Sequence, residues 1–357
     1  MNSYLHNIDP FAIQLTQSFG IRWYGLSYLS GFLAGYLSIK WMLNRKPTPF
    51  PAHLLLDFVF AVAMGCIIGG RLGYCLFYRT DLLLHFSSAP PFWGAFSLHE
   101  GGMASHGGII GMVIACLWFG WKHGLPYLHL MDLTILGSTI GIFFGRIANF
   151  INGELVGRAC NGGCIWPVQF PQDILSWPNY EYERLLSLQK VVGELGVSAT
   201  EWVSFVSAQS YQAIFSNLHG AINTLHAGTA PLLPILFEEI ITPRHPSQLY
   251  AAVLEGGGIF LILFLLWKKP LKPGVIVSGF FILYSIGRIF GEQFRQPDLH
   301  LGFQALGLSR GQWLSVALFC FGVALLVFSM KRQVGSVGGW GSEKGSEKGS
   351  EKGSEKK

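Results

Sequence analysis

The stretch Gly145-Arg146-Ile147-Ala148-Asn149-Phe150-Ile151-Asn152-Gly153-Glu154-Leu155-Val156-Gly157 sets a guanidinium, two amides and a carboxylate at the end of an apolar run. Ionisable groups at hydrocarbon depth are costly unless paired or solvated by a cavity, so by default they mark a functional site. Two further clusters carry the same signal. His106 lies among glycines in Gly101-Gly102-Met103-Ala104-Ser105-His106-Gly107-Gly108, and Arg288, Glu292 and Arg295 fall within Gly287–Asp298. Arginine offers a planar fork that matches phosphate oxygens two at a time. Arg146 and Arg288 facing one cavity could therefore hold a lipid phosphodiester at headgroup depth. A histidine flanked by glycines leaves room for a bulky substrate and is suited to moving a proton near neutrality. Asn149, Glu154 and Glu292 can orient the cations. The set suits displacement of a phosphate leaving group, with arginine neutralising the developing charge and His106 activating a nucleophile.

The elements that must position these groups are apolar. Half of the 357 residues are hydrophobic, 13% are charged, and the mean hydropathy is +0.40. Soluble domains carry about 25% charged residues, so the chain reads as an all-α, polytopic integral membrane protein. A formal charge of +5, small and scattered, argues against a nucleic-acid partner. There is no Walker A loop and no HExxH, so neither an ATP-driven pump nor a zinc protease is expected. Residues 1–20 hold no Lys or Arg, so no cleavable signal peptide is expected.

Seven segments have spanning character: Trp23–Trp41, Leu54–Tyr74, Gly107–Trp121, Leu130–Phe150, Leu249–Trp267, Gly274–Phe290 and Trp313–Met330. Basic residues follow every second one: Lys40, Arg45 and Lys46, then Lys122, then Lys268, Lys269 and Lys272, then Lys331 and Arg332. The positive-inside rule puts these in the cytoplasm, with the N-terminus outside and the C-terminus inside. His106, Arg146, Asn149, Arg288, Glu292 and Tyr24 then all fall on the outer side. The expected organisation is a bundle formed by 1–157 and 244–332, an external insertion at 158–243 with amphipathic pieces Tyr182–Gly193 and Glu201–Phe215, and a tail at 333–357. The tail repeats Gly-Ser-Glu-Lys from Gly341 and has nothing apolar to bury.

Simpler roles compete at several positions. Asp57 and Arg71 can satisfy neighbours, Tyr24 can be an interfacial anchor, and Arg295 and Arg310 can be solvated rim charges. Abundant glycine in the apolar runs lets helices approach closely. Cys66, Cys75, Cys116 and Cys320 read as small hydrophobes. Cys160 and Cys164 suit a local disulfide if their side is oxidising; a metal site would need further ligands, and none is near in sequence.

These segments resemble the bacterial prolipoprotein diacylglyceryl transferases. The family signature is matched by Gly145-Arg146-x-x-Asn149-Phe150-x-Asn152-x-Glu154-x-x-Gly157 and its His-Gly-Gly motif by His106-Gly107-Gly108. Its Arg-His-Pro-Ser-Gln-Leu-Tyr stretch is present as Arg244 to Tyr250, and its Phe-Arg-Gln-Pro-Asp ending as Phe294 to Asp298. Trp23-Tyr24-Gly25 and Gly69-Gly70-Arg71-Leu72-Gly73-Tyr74 also fit. The resemblance implies seven spanning helices in the bacterial inner membrane, a periplasm-facing site, and no metal or nucleotide cofactor. It implies transfer of a diacylglyceryl group from phosphatidylglycerol to the lipobox cysteine of a preprolipoprotein, forming a thioether and releasing glycerol 1-phosphate. On these positions it implies catalytic His106, Arg146 and Arg288, and phospholipid binding by Arg146, Arg288, Tyr24, Asn149 and Gly157. Glu154, Glu292, Arg295 and Arg71 are the implied supporting residues. Two departures stand out: Ala251 occupies a position commonly Glu, and 158–243 is long for the family. A lipid or small-anion transporter is the alternative, although the two halves show no inverted repeat.

Overall fold

The computed structural model describes residues 3–14, 20–45, 48–86, 88, 92–97, 102–160, 162–296 and 307–336. Lys46, Gly101, Pro297, Asp298 and the Gly-Ser-Glu-Lys tail lie outside the described residues.

All seven apolar segments are helices: Trp23–Leu43, Leu55–Phe77, Ser105–His123, Tyr127–Ile151, Ser247–Trp267, Val275–Gly291 and Arg310–Lys331. Among the described residues, four helices are long and apolar enough to cross a membrane: Ala52–Phe77, Tyr127–Ile151, Ser247–Trp267 and Arg310–Lys331. Val275–Gly291 is apolar but shorter, at 17 residues. Short strands add to the helices: Tyr4–Leu5 runs parallel to Val168–Gln169, and Phe11–Gln14 pairs antiparallel with Gly20–Arg22. The chain divides into two compact units.

One unit comprises Gly31–Ile140, Ile259–Leu283 and Phe319–Lys357. Within it, Leu55–Phe77 and Ser105–His123 pack backbone to backbone along a glycine seam. A Cβ added at Gly73 would lie 2.9 Å from Gly107 Cα, and one at Gly65 would lie 2.9 Å from Ala115 Cβ. Such close approach is what small residues permit between apolar helices, where lipid supplies no hydrophobic drive for association. Buried Asp132 caps the start of Val275–Gly291, its carboxylate accepting from Gly274 N at 2.7 Å and Val277 N at 2.8 Å. A carboxylate there satisfies orphan donors and complements the helix dipole.

The other unit comprises Met1–Ser30, Gly141–Gly258 and Tyr284–Leu318. Residues 171–240 form short helices around a core that includes Trp177, Leu185, Trp202, Leu218 and Phe237. In Tyr211–Ala227 the buried residues Ile214, Leu218, Ala221, Ile222 and Leu225 fall on one helical stripe. Leu5, on the N-terminal strand, joins this core. The piece Tyr182–Gly193 starts as a 3-10 turn over Tyr182–Leu188 before turning α-helical. One expectation needs correction. Glu201–Phe215 is not one piece: helices Ala199–Ser207 and Tyr211–Ala227 are separated by Gln209 at φ 51, which no helix accommodates.

Candidate active site

The centre of the site is a carboxylate that the sequence reading passed over. Glu255 is fully buried in a π-helical turn, Ala252–Gly257, inside the Ser247–Trp267 helix. Such turns interrupt the regular ladder and are frequent at functional sites. One Glu255 oxygen pairs with Arg146 at 2.7 Å and the other lies 3.5 Å from Arg288. Arg288 also reaches Glu292 at 3.1 Å, and Glu292 accepts from Ser309 Oγ at 2.9 Å. Tyr284 faces Arg146 and Glu255. Exposures of 20% for the Arg146 side chain and 15% for Arg288, against 1% for Glu255, show how the guanidiniums face the opening. A pocket lies there, lined by Arg146, Arg288, Glu255, Arg295, Leu155 and Gln248, with Ala251 also at its wall. The lone carboxylate in Leu249–Trp267 was the available signal, by the same depth argument that flagged Arg146.

A second network borders it. Asn149 donates to Tyr24 Oη at 3.2 Å and to Glu154 at 3.2 Å, and Asn152 donates to the other Glu154 oxygen at 3.2 Å. Tyr24 therefore has a specific polar partner rather than being only an anchor. The turn that carries Glu154 is held by Gln248 donating to Glu154 O and Ser247 donating to Leu155 O at 2.9 Å. Leu155 adopts φ 54, a left-handed conformation costing roughly 1–2 kcal/mol for a non-glycine residue. The strain sits at the pocket wall.

Gly157, expected to touch phospholipid, lies at a backbone crossing. Its N–H donates to His245 O at 3.1 Å, and a Cβ there would meet Phe294 O at 2.7 Å. Arg244, beside it, is buried, donating twice to Asp173 (2.9 and 2.8 Å) and to Gln296 Oε1 at 2.5 Å. Burial nonetheless holds the Asp173 carboxyl above its ordinary range, the Arg244 charge opposing this. Arg295 enters the pocket wall while its carbonyl accepts from Arg158 at 3.0 Å.

His106 and Arg71 belong to the other unit. His106 is exposed in the first turn of Ser105–His123. Its neighbours Gly107 and Gly108 are buried, and Gly107 serves the helix seam rather than clearing space for a peptide. Arg71 is buried and donates to Ala95 O (2.9 Å), Gly94 O (2.9 Å) and Gly102 O (3.1 Å). It ties the segments before His106 to the Leu55–Phe77 helix. Gly307-Leu308-Ser309-Arg310-Gly311 has the spacing of a nucleophile elbow, but Ser309 is spent on Glu292 and on a reciprocal cap with Gln312, its N–H donating to Gln312 Oε1 at 2.9 Å. Cys160 and Cys164 form a disulfide, and the fold brings His245 beside them, a third group that sequence spacing did not reveal.

Fold and site together define a polytopic helical membrane protein with a buried arginine–carboxylate centre. The family model of the prolipoprotein diacylglyceryl transferases matches residues 10–328. A phosphatidylglycerol--prolipoprotein diacylglyceryl transferase of Bdellovibrio bacteriovorus is 46% identical over 341 residues, 94% of this chain and 97% of that protein. Proteins of the same name from Bradyrhizobium diazoefficiens and Rhodopseudomonas palustris are 32% and 34% identical, over 90% and 92% of this chain and 92% of each relative. The chain belongs to the prolipoprotein diacylglyceryl transferase family.

Proposed function

We propose that this chain transfers the diacylglyceryl group of phosphatidylglycerol to the lipobox cysteine thiol of a preprolipoprotein, at the outer face of a bacterial inner membrane. The thiol sulfur attacks the glyceryl carbon that bears the phosphate. A C–S thioether bond forms, the C–O bond to phosphate breaks, and glycerol 1-phosphate leaves with the electron pair. The observation that carries this reading is the convergence of Arg146 and Arg288 on Glu255 at the wall of one pocket. Glu255 holds both forks in place, and arginine N–H groups bind phosphate oxygens bidentately. Positive groups preorganised where negative charge develops are the usual source of large rate enhancement.

A free thiol titrates near 8.5 and must lose its proton to attack; His106 is the base in this reading. Asn149, Tyr24 and Glu154 fix the turn at the pocket's edge, and Arg295 adds a third cation at its wall. Ala251 leaves that wall neutral, and Glu255 carries the carboxylate role there. No step calls for a metal or nucleotide.

The test is purified protein with phosphatidylglycerol vesicles and a lipobox peptide. A thioether-linked diacylglyceryl peptide, with one glycerol phosphate released per product, supports the enzyme. Lipid or anion flux without product would mean a transporter.

A further inference from the structure

Residues Cys160 to Cys164 and His245 form a cluster that the transfer reaction does not use. The sulfurs of Cys160 and Cys164 and a ring nitrogen of His245 all lie within 4.8 Å of one another. Cys164 is buried and the other two are half-buried. His245 Nδ1 is buried and makes no hydrogen bond among the described residues. The backbones are fixed independently of the sulfur bond: Cys160 N donates to Pro243 O at 2.8 Å, and His245 N donates to Arg158 O at 3.0 Å. Between the cysteines, a Cβ added at Gly162 or Gly163 would meet nothing within 4 Å.

We propose that, when the Cys160–Cys164 bond is reduced, Cys160, Cys164 and His245 bind a zinc-type divalent cation, so that disulfide and metal are alternative closures of one loop. Two cysteines with three residues between them have the spacing of structural zinc ligands, and imidazole is a common third. Soft thiolate donors select zinc over magnesium or calcium. A dithiol reductant passes two electrons to the S–S bond, leaving two thiols here and ending as its own cyclic disulfide. The cation then displaces one proton from each thiol and binds two thiolates and the imidazole, with water as fourth ligand. In the oxidised chain the sulfurs are committed to each other and the site is closed to metal.

The test uses the full-length protein in detergent, oxidised or reduced with a small dithiol that is removed under inert gas. A Cys160→Ser/Cys164→Ser variant, handled identically, subtracts binding by the other cysteines. Each sample is titrated with Co²⁺, read by thiolate-to-metal charge transfer, and with Zn²⁺ against a chromophoric chelator. The reduced chain should bind one cation more than the double variant, and the oxidised chain should not. His245→Ala should weaken binding by more than the roughly 10–100-fold lost with an outer-shell partner. Equal binding by reduced wild type and the double variant, or undiminished binding by the oxidised chain, overturns the proposal. So does a free-thiol count showing that the bond resists reduction in the folded protein.

Discussion

Two guanidiniums and two carboxylates share a space largely closed to water, and their balance sets what the pocket can bind. Arg146 and Arg288 are answered by Glu255 and Glu292, so under the proposed function a phosphodiester would enter a field already compensated and compete for N–H groups rather than for bare charge. Removing one member of a buried ion pair strands its partner, at a cost of about 3–5 kcal/mol. Glu255→Ala is therefore expected to lower the thermal midpoint markedly. Glu255→Gln, which keeps the shape, should leave the protein folded but slow transfer on the order of 10²-fold, because the forks lose their aim. Unfolding scans and single-turnover rates separate the two effects; a Gln variant with normal turnover would show that Glu255 is only structural. His106 calls for a different test. His106→Gln keeps a hydrogen-bonding side chain but no base near neutrality, so turnover should drop roughly 10²–10⁴-fold, and the limb of the pH–rate profile that a histidine base imposes should vanish. Retention of most activity with an unchanged profile would assign thiol activation to the arginines. The arginines and His106 were legible in the sequence as ionisable groups in apolar runs. Glu255 was equally legible by that rule, as the lone carboxylate in its apolar run.

At the level of elements, each motif glycine answers to a particular neighbour. Gly107 is required by the seam with Leu55–Phe77, and Gly157 by the crossing of His245 and Phe294. Neither use could be read from spacing, because it depends on which distant backbone arrives there. Helix limits were legible from hydropathy, whereas the π turn around Glu255 and the break at Gln209 come from local geometry that period and composition do not encode. The N-terminal segment adds a pH-dependent contact. His6 is buried, ring to ring with Phe150 (5.2 Å) and Phe170 (5.3 Å), and desolvation pushes it down to about 4. Below its unfolded value near 6.5 the unfolded chain takes up a proton that the folded chain refuses. Stability is therefore full above about 6.5 and falls as pH drops toward about 4, by up to about 3 kcal/mol. Unfolding of the wild type against His6→Phe should show this acid loss only in the wild type. Parallel curves would mean that His6 does not carry it.

For the whole molecule, the alternation of basic residues predicts an orientation that would place the site on the side where an exported precursor meets the membrane. A reporter fused after Arg332 should be active only in the cytoplasm, and one inserted near Ser198 only in the periplasm; the reverse pattern would put the pocket on the wrong side. The family was legible because its signature is long and its residues are chemically specific. The packing of residues 171–240 was not, because a core assembled from many short helices leaves only weak periodicity in each. The central claim is that Arg146 and Arg288 together hold the phosphate that departs. The most direct measurement is single-turnover formation of thioether peptide from phosphatidylglycerol by Arg146→Ala, Arg288→Ala and the corresponding Lys variants, each with folding verified. Both alanine variants should be nearly inactive, with lysine rescuing only in part, since a point charge lacks the planar fork. Near-wild-type turnover in either alanine variant would contradict the account.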